Sequence, residues 1–367
     1  MKKKIKKALP FIIGGIAGLI GGFVGASSVE KESIRLPILI FGFVVLLICF
    51  YLHIIIHEAG HLIFGLLSGY KFVSFRVGSL ILYRTNGKVK VGKYKLAGTG
   101  GQCLMAPPDL VNGQIPYCLF NFGGAIMNLF FAFPAMFVLF FYDLSGMLKL
   151  CFILWMLVGL GCAAMNGIPM SVGSVDNDGK NALNLGKNPK ALYSFWLQLK
   201  VNQLQMDGKV LLDMPKEWFE RPTNEEMKNP MVAVIGALYC NRKMEEKSYE
   251  ESSQVIHDIL KNASGILPIH YMLLQIDRIF CEIMSGRDEK VLSDFQDKGL
   301  QNFVKAMKNY PSIIRTSYAY ALCIEKDEEK AKKIKKHFEK IAKTHPNKAE
   351  LQIERAFILD CENTKLS

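Results

Sequence analysis

The sequence predicts an all-α polytopic membrane protein with about four transmembrane helices, a small β-hairpin and strand region in the 68–115 loop, and a C-terminal α-helical, TPR-like soluble domain. Three observations predict it. Hydrophobic residues make up 50% of the 367 residues, yet the chain also holds 45 Lys and Arg and 33 Asp and Glu. Those figures are compatible only if apolar and charged residues are segregated along the chain. They are segregated: every long apolar run lies before about residue 180, and beyond about Gly186 apolar and charged positions alternate with helical spacing. The division gives a membrane domain over 1–185 and a helical domain over 186–367.

The net charge of +12 invites a nucleic-acid reading, but the basic residues gather before an apolar run and in one loop. That is the pattern of membrane orientation. No helix-turn-helix, RNP or zinc-finger signature accompanies it, so nucleic acid is excluded as a partner. The nine cysteines are scattered and form no C-x-x-C pair, which excludes a disulfide framework and a structural zinc site. The soluble part belongs in a reducing cytosol.

In chain order, Lys2, Lys3, Lys4, Lys6 and Lys7 precede the apolar run Ala8–Ser28. About 20 apolar residues is the length of a retained spanning helix, longer than the core of a cleaved signal. Gly14, Gly18 and Gly22 form one small-residue face on it, and Gly21 and Gly25 another. A polar link over 29–35 leads to a second span, Leu36 to Leu67, which is longer than a bilayer requires. The loop that follows carries Lys71, Arg76, Arg84, Lys88, Lys90, Lys93 and Lys95 against Asp109, and so lies on the cytoplasmic side. Within it Phe72–Val77 and Lys88–Val91 alternate as strands, and Asn86-Gly87 is a hairpin signal. The third span covers Pro116 to Tyr142 and the fourth Met147 to Met165. Crossing in this way from a cytoplasmic N-terminus leaves both termini cytoplasmic. In the tail, Met231–Arg242 with Tyr249–Asn262, and Ile313–Glu325 with Glu328–Lys343, read as helix hairpins, and His345-Pro346 leads into another helix. A pair period in the thirties to forties is the tetratricopeptide style, with an unrelated helical bundle as the competing reading.

The chemistry concentrates at His57-Glu58-Ala59-Gly60-His61, inside the second span. Histidines at i and i+4 share one helix face and can reach one metal, and the H-E-x-x-H pattern is a zinc signature with its glutamate as general base. Ionisable side chains are expensive inside a membrane segment and are usually functional there. His53 lies one further turn back on the same face, as a fourth ligand, a hydrogen-bond partner behind a ligand, or a histidine that simply hydrogen-bonds within the bundle, and stays outside the ligand set. A catalytic zinc needs a third protein ligand. Asp178, followed by Gly179 just past the fourth span, is the first candidate and Asp176 the second, although Asp-Asn-Asp-Gly is also ordinary turn chemistry.

His57–His61, the Gly123-Gly124 to Asn128 stretch, and Asn166-x-x-Pro169 followed by Asp178-Gly179 together resemble the site-2 protease family of intramembrane zinc metalloproteases (peptidase family M50). The resemblance covers about residues 36 to 185. It implies a Zn2+ cofactor held by His57, His61 and Asp178, with Glu58 as catalytic base and Asn128 as a substrate-positioning residue. The sequence departs from the pattern where Gly167 follows Asn166 in place of Pro, and where the gap from Pro169 to Asp178 is long. No PDZ-like or CBS-like insertion is recognisable. The expected function is intramembrane cleavage of transmembrane or membrane-associated peptide substrates, in regulated intramembrane proteolysis or signal or pheromone peptide processing. The expected partners are such a substrate, the lipid bilayer of a bacterial cell membrane, and a protein partner for the tail. The alternatives are a proteolytically inactive, membrane-anchored helical-repeat adaptor and, more weakly, a metal transporter.

Overall fold

The computed structural model describes residues 36–85, 87–94, 100–172, 175–263, 266–286 and 288–366. The expected span over 8–28 and its glycine faces lie outside the described residues. The chain forms two compact units, one of residues 1–79 and 96–188, the other of 80–95 and 189–367.

In the first unit, α1 (Leu36–Leu67), α2 (Tyr117–Phe141) and α3 (Gly146–Gly167) are each long and apolar enough to cross a membrane. α1 spans 32 residues, about 48 Å, against a hydrocarbon core of about 30 Å. Phe43 and Leu47 on α1, Phe137 and Phe140 on α2, and Leu148 on α3 are exposed large apolar side chains, as lipid-facing surfaces require. α1 ends where Gly69 takes a φ of +83°, and the Tyr70 N–H reaches back to the Gly65 carbonyl at 2.9 Å. This left-handed exit turns the chain into the loop. α1 and α2 meet backbone to backbone at Gly60 and Gly123. A Cβ on Gly60 would stand 2.2 Å from the Gly123 carbonyl oxygen.

The loop's strand β1 (Lys71–Val77) pairs antiparallel with β4 (Gly101–Ala106), from Lys71 opposite Ala106 to Val77 opposite Gly101, with an irregularity between Phe72 and Ser74. Among the described residues no other strand pairs with the outer edge of β4. After α3, the long gap noted in the sequence folds as a two-strand ribbon, β5 (Ser171–Val172) against β6 (Val175–Asp176), which leads into α4 (Asp178–Asn184).

The second unit contains the hairpin β2 (Leu80–Thr85) and β3 (Lys88–Lys93), in register from Leu80 opposite Lys93 to Thr85 opposite Lys88. Its other members are α5 (Pro189–Met206), α6 (Pro230–Glu245), α7 (Tyr249–Asn262), α8 (Pro268–Ser285), α9 (Glu289–Asp294), α10 (Lys298–Ala306), α11 (Pro311–Ala319), α12 (Glu328–Ala342) and α13 (Lys348–Leu366). Proline opens α5, α6, α8 and α11, where its missing N–H costs nothing. The expected hairpins correspond to α6 with α7 and to α11 with α12, the former of each pair being longer than expected or extended by a π turn over Tyr320–Ile324. Phe280, Ile276, Phe338 and Phe357 lie in the tail's main apolar core. Arg315 is buried in it over the Phe280 ring and ion-pairs with Asp277 at 2.6 Å.

Candidate metal centre

His57 and His61 sit one turn apart on α1, so both imidazoles leave the same face. Their Nε2 atoms stand 3.2 Å apart. α4 brings Asp178 to them, with Oδ2 3.1 Å from His57 Nε2 and 3.4 Å from His61 Nε2. These three side chains are the group among the described residues whose donor atoms could hold a metal ion.

What lies behind each ring decides its tautomer. His61 Nδ1 is 2.9 Å from the Phe120 carbonyl oxygen, which only accepts, so Nδ1 carries the proton. His57 Nδ1 is 2.9 Å from Asn128 Oδ1. The other side of that amide, Nδ2, is 3.0 Å from the His53 carbonyl oxygen, which fixes nitrogen toward His53 and oxygen toward His57. His57 Nδ1 therefore donates as well. Two neutral imidazoles then aim their Nε2 lone pairs at a carboxylate oxygen.

Three electron-pair donors this close repel unless a cation lies between them. Their spacing suits one: bonds of about 2.0–2.1 Å in a tetrahedral site put ligand atoms about 3.3 Å apart. The donor set fits a divalent transition metal with one position left open.

Asp178 owes its place to its neighbours. Asn177 caps α4, its Oδ1 accepting from Lys180 N–H and Met170 N–H, both at 3.0 Å. Its Nδ2 donates to the Met165 and Ile168 carbonyls, both at 2.7 Å. One side chain thus staples the end of α3 to the start of α4. Gly179 packs on the α3 terminus so closely that a Cβ would stand 2.1 Å from the Gly167 carbonyl oxygen. Asp176 takes another part: its Oδ1 accepts from Ser171 Oγ at 2.7 Å and pairs with Lys180 Nζ at 2.6 Å, inside the β5–β6 ribbon.

Glu58 lies between the cluster and β4. The Cys103 backbone N–H hydrogen-bonds to it. Gly101 lets the strand come this near, since a Cβ there would lie 2.7 Å from Glu58 Oε1. The buried Arg76 steadies the Gly101 end of the β1–β4 pair, its guanidinium donating to the Gly78 carbonyl at 2.8 Å and the Gly101 carbonyl at 3.4 Å. Asn128 does not stand free beside the cluster: it is fully buried and its amide is engaged by His53 and His57. Sequence reasoning missed Asn177, Arg76 and the Phe120 carbonyl. Asn before Asp-Gly carried a capping signal that turn chemistry obscured. The other two depend on contacts that sequence spacing does not encode.

The model of peptidase family M50 matches residues 45–352, which is 308 of the 367 residues. The chain belongs to peptidase family M50. No curated protein and no solved structure matches the chain. M50 membership, with three long apolar helices, makes this a membrane protein of the metallopeptidase class. The M50 match also runs well past the spans, as far as α13.

Proposed function

We propose that this M50 protein is an intramembrane zinc endopeptidase of the site-2 protease type, cleaving transmembrane or membrane-associated peptide substrates. One observation carries the reading: His57, His61 and Asp178 converge within 3.1–3.4 Å beside Glu58, with both histidines and Glu58 on a helix apolar enough to cross a membrane. His57, His61 and Asp178 would hold the ion. When bound there, zinc supplies Lewis acidity that acidifies water and polarises a peptide carbonyl. Glu58 is the general base, taking a proton from the attacking water and returning it to the leaving amine nitrogen.

The outer edge of β4 offers the substrate a place. A helix hides its own carbonyls in intrahelical hydrogen bonds, so a substrate helix must unwind before it can be cut. An unwound segment can pair its backbone with β4 as an added strand. Gly101 and Cys103 of that strand touch Glu58, so a paired segment would run past the base. The proposal includes a membrane domain over 1–185 and a tail over 186–367 that recruits a protein partner through TPR-like helix pairs. The charge of the loop and the parity of the four expected spans favour both termini on the cytoplasmic side, in the proposed setting of a bacterial cell membrane.

The test is Glu58→Gln in the full chain, expressed in membranes whose peptides are compared by mass spectrometry with wild type. The variant should fold, keep its zinc, and lose processing of a membrane substrate, which accumulates uncut. Undiminished processing by the variant would remove Glu58 from the mechanism and the proposal with it.

A further inference from the structure

We infer that His53 and Asn128 form a buried hydrogen-bond relay that orients His57 as a metal ligand, so that both are positioning residues of the centre. The inference rests on the zinc reading above. Both residues have no exposed surface. The relay has one consistent direction. The Trp155 indole Nε1–H donates to the Phe131 carbonyl at 2.9 Å, fixing the tryptophan. The Trp155 carbonyl takes His53 Nε2–H at 3.2 Å. His53 Nδ1 is thereby left as an acceptor and takes Asn128 Nδ2–H at 3.0 Å. The same Nδ2 also donates to the His53 carbonyl at 3.0 Å. Asn128 Oδ1 then takes His57 Nδ1–H at 2.9 Å, and His57 Nε2 faces Asp178.

Each step removes a freedom of the next. A buried asparagine amide can flip, and a flip would set its NH2 against His57 Nδ1–H, a contact between two donors. His53 supplies two acceptors, ring and backbone, on one side of the amide, and so holds the oxygen toward His57. His57 is thereby locked in the tautomer that keeps Nε2 unprotonated and aimed at the ion. Glycine makes room for the device: at Gly159 a Cβ would lie 2.5 Å from His53 Cε1. The His53 ring also packs on Trp155 with centroids 4.5 Å apart. A histidine that is merely satisfied in a helix bundle would not need both its ring and its carbonyl to converge on one amide whose remaining atom orients a ligand. The bundle face of α1 thus carries three histidines at one-turn intervals, of which His57 and His61 face the ion and His53 sets the geometry of His57.

The test uses the purified full chain in detergent, with Zn2+ and Co2+ affinities measured by chelator competition and the visible spectrum of the Co2+ form recorded. Asn128→Leu removes the acceptor behind His57 and should weaken binding by about 10- to 100-fold, the range for lost outer partners of metal ligands. His53→Leu should weaken it less, because the His53 carbonyl still holds Asn128. His53→Gln should restore wild-type affinity and spectrum, since its amide can accept from Asn128 and donate to Trp155. In the Asn128→Leu background, His53→Leu should add nothing. The inference is overturned if His53→Leu and Asn128→Leu bind as tightly as wild type, if His53→Gln is as weak as His53→Leu, or if the two losses simply add. Wild type that binds neither ion would instead overturn the zinc reading on which the relay depends.

Discussion

Gly124→Ala tests the centre by a single carbon atom. A Cβ at position 124 would stand 2.3 Å from His57 Cε1, 2.5 Å from Nδ1 and 2.6 Å from Nε2. Ordinary contact begins near 3.4 Å, so the ring must retreat by about 1 Å. It cannot do so in place, because its Nδ1 is anchored on Asn128. Metal–ligand distances tolerate about 0.2 Å, so a retreat of that size takes Nε2 out of the coordination sphere. Zinc affinity should fall by at least about 100-fold, or ~2.7 kcal/mol. The alternative response is for α1 and α2 to separate, which strains their close approach at Gly60 and Gly123 and costs about 1–3 kcal/mol of stability. Gly161→Ala on α3 is the matched control, because beyond its chain neighbours and its own helix backbone nothing lies within 4 Å of its Cβ position among the described residues. The assay is zinc content after equilibration in metal-buffered solution, read beside thermal unfolding. If Gly124→Ala keeps wild-type zinc affinity and melts like Gly161→Ala, the His57 ring does not pack against Gly124.

Three further outcomes follow from the same geometry. Asp178→Asn should abolish zinc retention while Asp176→Asn leaves it intact and only loosens the β5–β6 ribbon; equal zinc loss in both variants would refute the distinction drawn from their hydrogen bonds. Gly101→Ala presses a methyl against Glu58 and should lower the cleavage rate with zinc retained, so an unchanged rate would separate Glu58 from β4. In the tail, burial pushes the Glu354 carboxyl from 4.5 up to about 7, only partly offset by Arg315. The folded chain then holds a proton that the unfolded chain releases, so this group's stabilisation is full below about pH 4.5 and is lost as pH rises through about 7, a change on the order of 3 kcal/mol. Thermal unfolding between pH 5 and 8 should show it, and Glu354→Gln should make the slope shallower, the remainder belonging to groups such as Glu350, whose carboxyl burial pushes up to about 8; the same pH slope in both proteins would refute the assignment.

The parts of this fold legible in the sequence are those that depend on local repetition. The spans beginning at Leu36, Tyr117 and Gly146 were readable because apolar length is a property of one segment. The helix pairs of the tail were readable for the same reason, with proline marking several openings. β4 was not separately readable, because Gly101-Gln102-Cys103-Leu104-Met105-Ala106 lacks an alternating pattern and becomes a strand only by pairing with β1. The long gap after Pro169 read as a departure from a motif, whereas it folds as a two-strand ribbon that engages Asp176 and delivers Asp178. Nothing in Asp-Asn-Asp-Gly distinguishes the two aspartates; the four hydrogen bonds of Asn177 to Met165, Ile168, Met170 and Lys180 do.

The same limit explains why His53 was ambiguous in sequence. Its partners, Asn128 and Trp155, lie 75 and 102 residues away, and their meaning is carried by the direction of each hydrogen bond, which spacing does not encode. His57 and His61 differ in the same respect. The first is oriented by a side-chain amide and the second by a backbone carbonyl, that of Phe120. A backbone acceptor persists through any substitution that preserves α2, whereas the amide can be removed by one codon change. The centre is therefore most vulnerable, away from its ligands, on the His57 side, where Gly124 in front of the ring and Asn128 behind it leave no alternative position.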